Sequence, residues 1–346
     1  MTAVDGLRRL DDGAVWLQLD RLAQAGYNAV VRILMKSWKI GKSYGVAFSG
    51  DGRLLATLGR DVWIWTVAKR SKSVRTHPVS HPCDAAFSPD AGRLAVKSTS
   101  GHIAIIDVES GQTAVDFDNS GEGEGANLQY SPCGDYIIDG AWNGRLIVRC
   151  AESASREFVQ EFPGDMIRGI RSFQNGQRWI VAHSPIAKTY DRPPPPDYFS
   201  MWEWPFRRGT HQVLPLRIPF SLARSLAISI DGQYLAVVHG APPDSLSVFQ
   251  LRNGARAATI PVAVGGTSAA VRWSSDGRLL VSVQDEAVVV YAWPGLQELH
   301  RLALPFPSDA AFSPPGDALA LGSWKVGWVL PFDALSGMSV PPAAAP

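Results

Sequence analysis

Seven times along the chain a short apolar run passes an aromatic residue and a serine and turns at a glycine into a second apolar run. The clearest copies are Val46-Ala47-Phe48-Ser49-Gly50-Asp51-Gly52, Ala85-Ala86-Phe87-Ser88-Pro89-Asp90-Ala91-Gly92 and Val271-Arg272-Trp273-Ser274-Ser275-Asp276-Gly277. Tyr130-Ser131, Ile228-Ser229 and Phe312-Ser313 open three more, and Ser172-Phe173-Gln174-Asn175-Gly176 is a looser copy. The turn glycines stand at 52, 92, 134, 176, 232, 277 and 316, so the steps are 40, 42, 42, 56, 45 and 39 residues. A glycine beside Asp or Asn supplies the positive φ of a tight hairpin turn, and Ser-Pro or Ser-Asp starts the turn. Each copy therefore reads as a β-hairpin. About ten residues after each glycine comes a third apolar run, such as Val62-Trp63-Ile64-Trp65, Ile103-Ala104-Ile105-Ile106 or Val288-Val289-Val290-Tyr291. Its β-branched and aromatic content reads as a half-buried strand, the third of a four-stranded unit.

On these residues the chain resembles the WD-repeat family, whose period and four strands per repeat imply a β-propeller. The resemblance spans roughly residues 30 to 333 and implies an all-β fold of seven blades. No Trp-Asp dipeptide occurs and no Gly-His opens a repeat; only Trp65 and Asp107 occupy single positions of the end-of-repeat pattern. The family's buried polar tetrad is therefore not expected intact in most blades. The seventh unit runs out before a fourth strand. A strand from about Val31 to Trp38 is expected to complete it, closing the ring and removing an exposed edge. Residues 1–28 form an appendage, read as a helix through Trp16, Leu19, Leu22 and Ala23 or as a degenerate eighth repeat from Asp11-Asp12-Gly13; residues 29–336 form the propeller and 337–346 a Pro/Ala tail.

Composition fits this reading and narrows the partners. Gly 32 and Pro 25 suit a chain with many turns. With 33 basic and 32 acidic side chains the protein has no net field to drive nucleic-acid or anionic-membrane binding. No apolar run is long enough to span a bilayer as a helix, and Met1 to Asp12 has no signal-peptide core. Three widely spaced cysteines, Cys83, Cys133 and Cys150, suit a reducing cytosol rather than a disulfide framework. The Arg, Ala and Pro content resembles that of a GC-rich bacterial genome. The expected protein is a cytoplasmic, monomeric, bacterial propeller.

Blade-to-blade connections and second-to-third strand turns gather on one face around the channel, where binding residues concentrate on a rigid scaffold. Trp142 and Trp324 fall in such turns beside Arg145 and Lys325, a Trp-with-cation composition typical of interface hot spots. Arg60, Arg168 and Arg224 are placed to converge near the channel mouth and favour an acidic partner; His81 and His102 fall on the same face. The 56-residue step marks an insertion from His183 to Tyr198 around Pro193-Pro194-Pro195-Pro196, a stiff extended segment. Lys69, Arg70, Lys72 and Arg75 make the first blade's outer edge basic, beside an acidic stretch of the second blade from Asp107 to Glu124, an arrangement read either as mutual attraction or, more commonly, as a solvated surface.

No phosphate loop, nucleophile elbow or paired zinc-type histidine motif occurs. The expected function is a non-catalytic protein-interaction module without cofactor, binding another protein through Arg60, His81, His102, Trp142, Arg145, Arg168, Arg224, Trp324 and Lys325. It would serve as a scaffold or as an inhibitor that masks its partner. The alternative is a propeller enzyme of hydrolase or lactonase type, with a metal or acid-base site at the channel mouth drawn from His81, His102, His239 and Asp285.

Overall fold

The structure, a computed structural model, describes residues 37–117, 123–125, 127–186, 195–218, 221–240, 244–264 and 269–331, with no side-chain detail over 221–225. All regular elements among the described residues are strands, grouped in seven antiparallel sheets. Six sheets each take four strands in chain order, forming blades 1 to 6 over 45–76, 82–117, 128–161, 165–218, 221–261 and 271–303. Blade 7 joins Pro307–Phe312 to the long strand Ala318–Pro331 and takes Trp38–Ser43 from the other end of the chain. The first part of Ala318–Pro331 pairs with Pro307–Phe312 and the later part with Trp38–Ser43. It folds back between them, so tightly that a Cβ on Gly327 would come within 2.5 Å of the Leu321 carbonyl oxygen. The molecule is a seven-bladed β-propeller.

The described closing strand is Trp38–Ser43, and residues 31–36 of the expected span lie outside the described residues. Along it Trp38-Lys39-Ile40 alternates: Ile40 is buried and Lys39 faces solvent. Trp38 sits opposite Val329 and Lys39 opposite Trp328. The proposed helix or eighth repeat over 1–28 and the tail 337–346 lie outside the described residues.

The core is not central. It is divided into seven apolar clusters, each shared by two neighbouring blades, such as Val290, Leu302, Leu319 and Leu321 between blades 6 and 7. A blade is thus covered on both faces, and its third strand is buried on both. Ile103–Ile106 are all fully buried, which corrects the half-buried reading of those runs. Alternation survives in outer strands, as in Gln212–Ile218.

The repeated turns share one device. Ser49 Oγ accepts the Leu54 amide at 3.0 Å and donates to Asp51 at 2.6 Å, fixing the hairpin ahead of Gly52 (φ 72°). Ser88 with Asp90, Ser229 with Asp231, Ser274 with Asp276 and Ser313 with Asp317 repeat it. In the second copy Ala91 (φ 61°) takes the left-handed conformation expected of Gly92.

Inner strands of neighbouring blades are not paired in one sheet, so side chains tie them. Asp84 accepts the Leu128 amide (3.0 Å), Gln129 the Ser172 amide (3.2 Å), and Arg171 donates to the Leu226 carbonyl (3.1 Å). Trp273 donates to the Ala227 carbonyl (3.3 Å). Asp309 bridges three blades, taking Arg272 of blade 6 at 3.0 Å and the Val46 amide of blade 1 at 3.2 Å. Among the described contacts such ties span six junctions. One layer outward, buried Lys97 of blade 2 reaches Asp139 of blade 3 at 2.5 Å. Removing either partner would leave a buried charge uncompensated, the costly way to break such a pair.

The oppositely charged edges of blades 1 and 2 do not pair with each other in the described contacts. Arg75 pairs with Asp61 and lies over Trp63, while His102 pairs with Asp116, each within its own blade. Arg70 instead lies over Trp38 of blade 7.

Deleting the chain through Ser43 strips blade 7 of its outer strand and removes Ile40 from the blade 7–1 cluster. The expected result is a melting temperature lower by at least about 10 °C, with a broadened transition, in differential scanning calorimetry. A truncated chain that melts like the intact one would contradict closure by this strand.

Candidate partner-binding face

The fold-back in Ala318–Pro331 leaves Trp324 and Lys325 at its tip, both exposed. Trp324 stacks on Tyr44 with ring centroids 4.6 Å apart and planes 25° apart, and its amide donates to the Phe306 carbonyl at 3.0 Å. Tyr44 is anchored in turn, its hydroxyl donating to the Gly59 carbonyl at 2.5 Å. Phe306 is held at φ 50° and is 56% exposed, with Lys325 Nζ 5.5 Å from its ring centre. Lys42 Nζ lies 5.8 Å from the Trp324 ring. A Cβ on Gly59 would meet the Lys42 carbonyl at 2.8 Å, so the turn carrying Arg60 abuts Lys42. The next residue, Asp61, is occupied by Arg75 at 2.7 Å and His77 at 3.6 Å. Where blade 7 meets blade 1, the loop face thus presents three aromatic rings among Lys42, Arg60 and Lys325.

The other expected residues lie elsewhere. Trp142, 38% exposed, occupies the corresponding turn of blade 3, with the Arg168 guanidinium 6.0 Å from its ring centre. Arg168 sits in a strand, not a loop. It occupies the irregularity between Ile167 and Gly169 in Asp165–Phe173, and such a bulge re-aims a side chain. Arg224 is likewise in a strand, Ser221–Ile228. Arg60 and Arg168 belong to blades 1 and 4, and the Arg168 guanidinium lies over the Trp142 ring of blade 3. Trp142 and Trp324 are separated by two blades one way round the ring and three the other. Arg145 pairs with Glu161 at 3.1 Å on the surface, and His102 with Asp116 at 2.5 Å. His81 adopts φ 51°, its carbonyl accepting the Thr99 amide at 3.1 Å.

Blade 4 holds an acid, a histidine and a serine that sequence reading did not bring together. His183 Nε2 lies 2.7 Å from Ser200 Oγ, which also accepts Trp202 Nε1 at 2.9 Å. His183 Nδ1 is 3.9 Å from Asp165, whose carboxylate accepts the Tyr198 hydroxyl at 2.5 Å. His183 and Ser200 are fully buried, and the imidazole is sandwiched by Tyr198, stacked at 4.4 Å, and Phe162. A nucleophile must reach its substrate, and this serine is sealed; the cluster is a polar core that ties the strands of blade 4 together. Burial, reinforced by His211, pushes the His183 pKa down to about 3, and burial followed by the bond to Asp165 raises that of Tyr198. The network also corrects the limits of the insertion. His183 belongs to strand Arg178–Pro185 and Tyr198 to Asp197–Glu203, and residues 187–194, including Pro193 and Pro194, lie outside the described residues.

In blade 1 Trp65 Nε1 donates to Thr57 Oγ1 at 3.1 Å. His239 bonds Ser247 at 2.8 Å in blade 5, in a blade remote from His81 and His102. Among the described residues no three His, Cys, Asp or Glu side chains are grouped to hold a metal ion, and no helix is long and apolar enough to cross a membrane.

No protein-family model and no curated protein matches the chain. Solved structures do, 1734 chains in all, and a fold so widely shared carries no function by itself. One is a chain of Kuenenia stuttgartiensis hydrazine synthase, at TM-score 0.68 and 13% identity over 83% of this chain and 95% of that one. At that identity the likeness is one of fold.

Sequence reading singles out Trp324, Lys325 and Arg60 and places the loops of Lys42, Tyr44 and Phe306 on this face without singling those residues out. Their signal was faint: Phe306 lies between two prolines, and Tyr44 gains its place only once the chain's ends meet.

Neutral burial of His183 has a definite pH signature. Above its ordinary pKa of 6.5 the histidine is neutral folded or unfolded; below it, only the unfolded chain takes the proton, so stability falls as pH drops from about 6.5 toward 3. Between pH 7.5 and 5.5 this one group should cost about 1 kcal/mol, in a range where most carboxylates stay ionised. Thermal unfolding of His183→Gln should show a lower Tm at pH 7.5 but a flatter decline to pH 5.5. An unchanged decline would contradict the assignment.

Proposed function

We propose that the chain is a diverged WD-like propeller acting as a non-catalytic protein-binding module, and that it engages an acidic segment of its partner at the corner where blades 7 and 1 meet. The observation that carries this reading is the joint exposure of Trp324 and Phe306 within reach of Lys42 and Lys325. Exposed aromatic rings in a rigid setting with neighbouring cations have the composition of interface hot spots. Tyr44 holds Trp324 in place from below, so little side-chain entropy is lost on docking. Near-neutral overall charge favours a local, not a global, electrostatic match. Such a module would act by bridging partners or by masking one, in the reducing compartment that three free cysteines suit.

The test is affinity capture with the intact chain beside two variants, Phe306→Ala/Trp324→Ala and Trp142→Ala. The corner variant should weaken partner binding by at least about tenfold, while Trp142→Ala stays within about threefold. Raising salt from 50 to 300 mM should weaken binding by the intact chain. Undiminished capture by the corner variant would overturn the reading.

A further inference from the structure

Away from the loop face, blades 4 and 5 part to leave a cleft of about 580 Å³, within the usual size range of ligand sites. Its ends are pinned by two close contacts. A Cβ on Gly232 would come within 2.5 Å of the Phe173 ring, and one on Gly254 within 2.2 Å of the Pro215 carbonyl oxygen. Both glycines have positive φ, so the turns of blade 5 press against blade 4 at these points and stand away between them. On the far side of blade 4, the connection between its third and outer strands carries Trp204 and Phe206, which pack against Tyr136 and Phe158 of blade 3 and against Trp179 of blade 4 itself.

The chemistry of the walls sets this cleft apart from its counterpart between blades 1 and 2, of about 420 Å³. The positions correspond through their hydrogen bonds: the Val108 amide donates to the Gly92 carbonyl as the Leu251 amide does to that of Gln233, and Gly111 bonds back to Asp107 as Gly254 does to Gln250. Asp107 and Glu109 of the blade 1–2 cleft are therefore replaced by Gln250 and Arg252. In the first cleft Arg53 lies among Asp90, Asp107 and Glu109; among the described residues the second is lined by Arg178 and Arg252 and by no acidic residue. Glu203 does meet Arg178 at 3.4 Å, but the pair lies at the surface, with Glu203 largely exposed, and is weak enough to exchange. Phe173, Leu214 and Leu251, all buried, supply an apolar floor.

We propose that this cleft is a second binding site, for a small amphipathic organic acid whose carboxylate lies between Arg178 and Arg252 and whose apolar body covers Phe173, Leu214 and Leu251. Arginine suits the head group because its planar fork matches a carboxylate. The floor suits the body because burying it removes apolar surface from water on both sides.

The probe is octanoate, titrated calorimetrically into the intact chain, with octan-1-ol as the neutral comparison. Methyl NMR of the protein's methionines supplies a local readout, since Met201 lines the cleft and Met166, the other described methionine, does not. Octanoate should bind saturably with Kd below about 1 mM and shift the Met201 methyl signal; octan-1-ol should bind at least about tenfold more weakly. Arg178→Gln/Arg252→Gln, with its fold checked by circular dichroism, should weaken octanoate at least tenfold. Absence of saturable binding, a Met201 signal that stays in place, or a double variant that binds octanoate within twofold of the original would each overturn the proposal.

Discussion

A propeller has no covalent bond, and no backbone ladder, between the inner ends of its blades. What holds this ring shut is a circuit of side-chain ties, and the critical one is Asp309. Its carboxylate is shared among Arg272 of blade 6, its own strand and the Val46 amide of blade 1, so the last blade is fixed to the first at the channel wall. At the rim the same junction is closed again by Trp38–Ser43 pairing along Ala318–Pro331. Every other feature depends on this double closure. Each of the seven apolar clusters needs a blade on either side, so an open ring would leave two blade faces wet.

The seam is also where the tryptophans and cations gather. Trp38, Trp63 and Trp65 line it, and Arg70, Lys72 and Arg75 lie across their rings, while Lys39 lies over Trp328 on the blade 6 side of blade 7. Cation over ring lets a large apolar surface stay partly exposed at the rim without becoming an aggregation patch. Followed to the loop face, the same pairing of aromatic and cation becomes the exposed group around Trp324 and Phe306. Proposed binding surface and ring closure are therefore parts of one structure, since Tyr44 and Lys42 belong to the segment that follows the closing strand's start and enters blade 1.

Much of the architecture was legible because it repeats. A serine before a glycine turn, followed by an apolar run ten residues on, is a local pattern, and seven copies at nearly constant spacing fix seven hairpins and their third strands. The closing strand was legible as a need, and the pairing of Trp38 with Val329 and Lys39 with Trp328 locates its described part at Trp38–Ser43. The site was harder. Trp324 with Lys325 stood out through composition at a turn, but Phe306 and Tyr44 reach it from either end of the chain. Arg168 read as a loop residue because a strand irregularity has no sequence mark. The His183 network combines residues 165, 183, 198 and 200, whose spacing is set by an insertion that hides the repeat.

Hydrogen exchange in the intact chain tests the central role of closure most directly. If the ring opens only when the whole molecule unfolds, the amides of Trp38 to Ser43 that pair with blade 7 will exchange with the same protection free energy as those of inner strands Gly45–Phe48 and Pro307–Phe312. If instead Trp38–Ser43 exchanges orders of magnitude faster while both inner strands stay protected, the strand is a detachable flap and does not hold the ring shut.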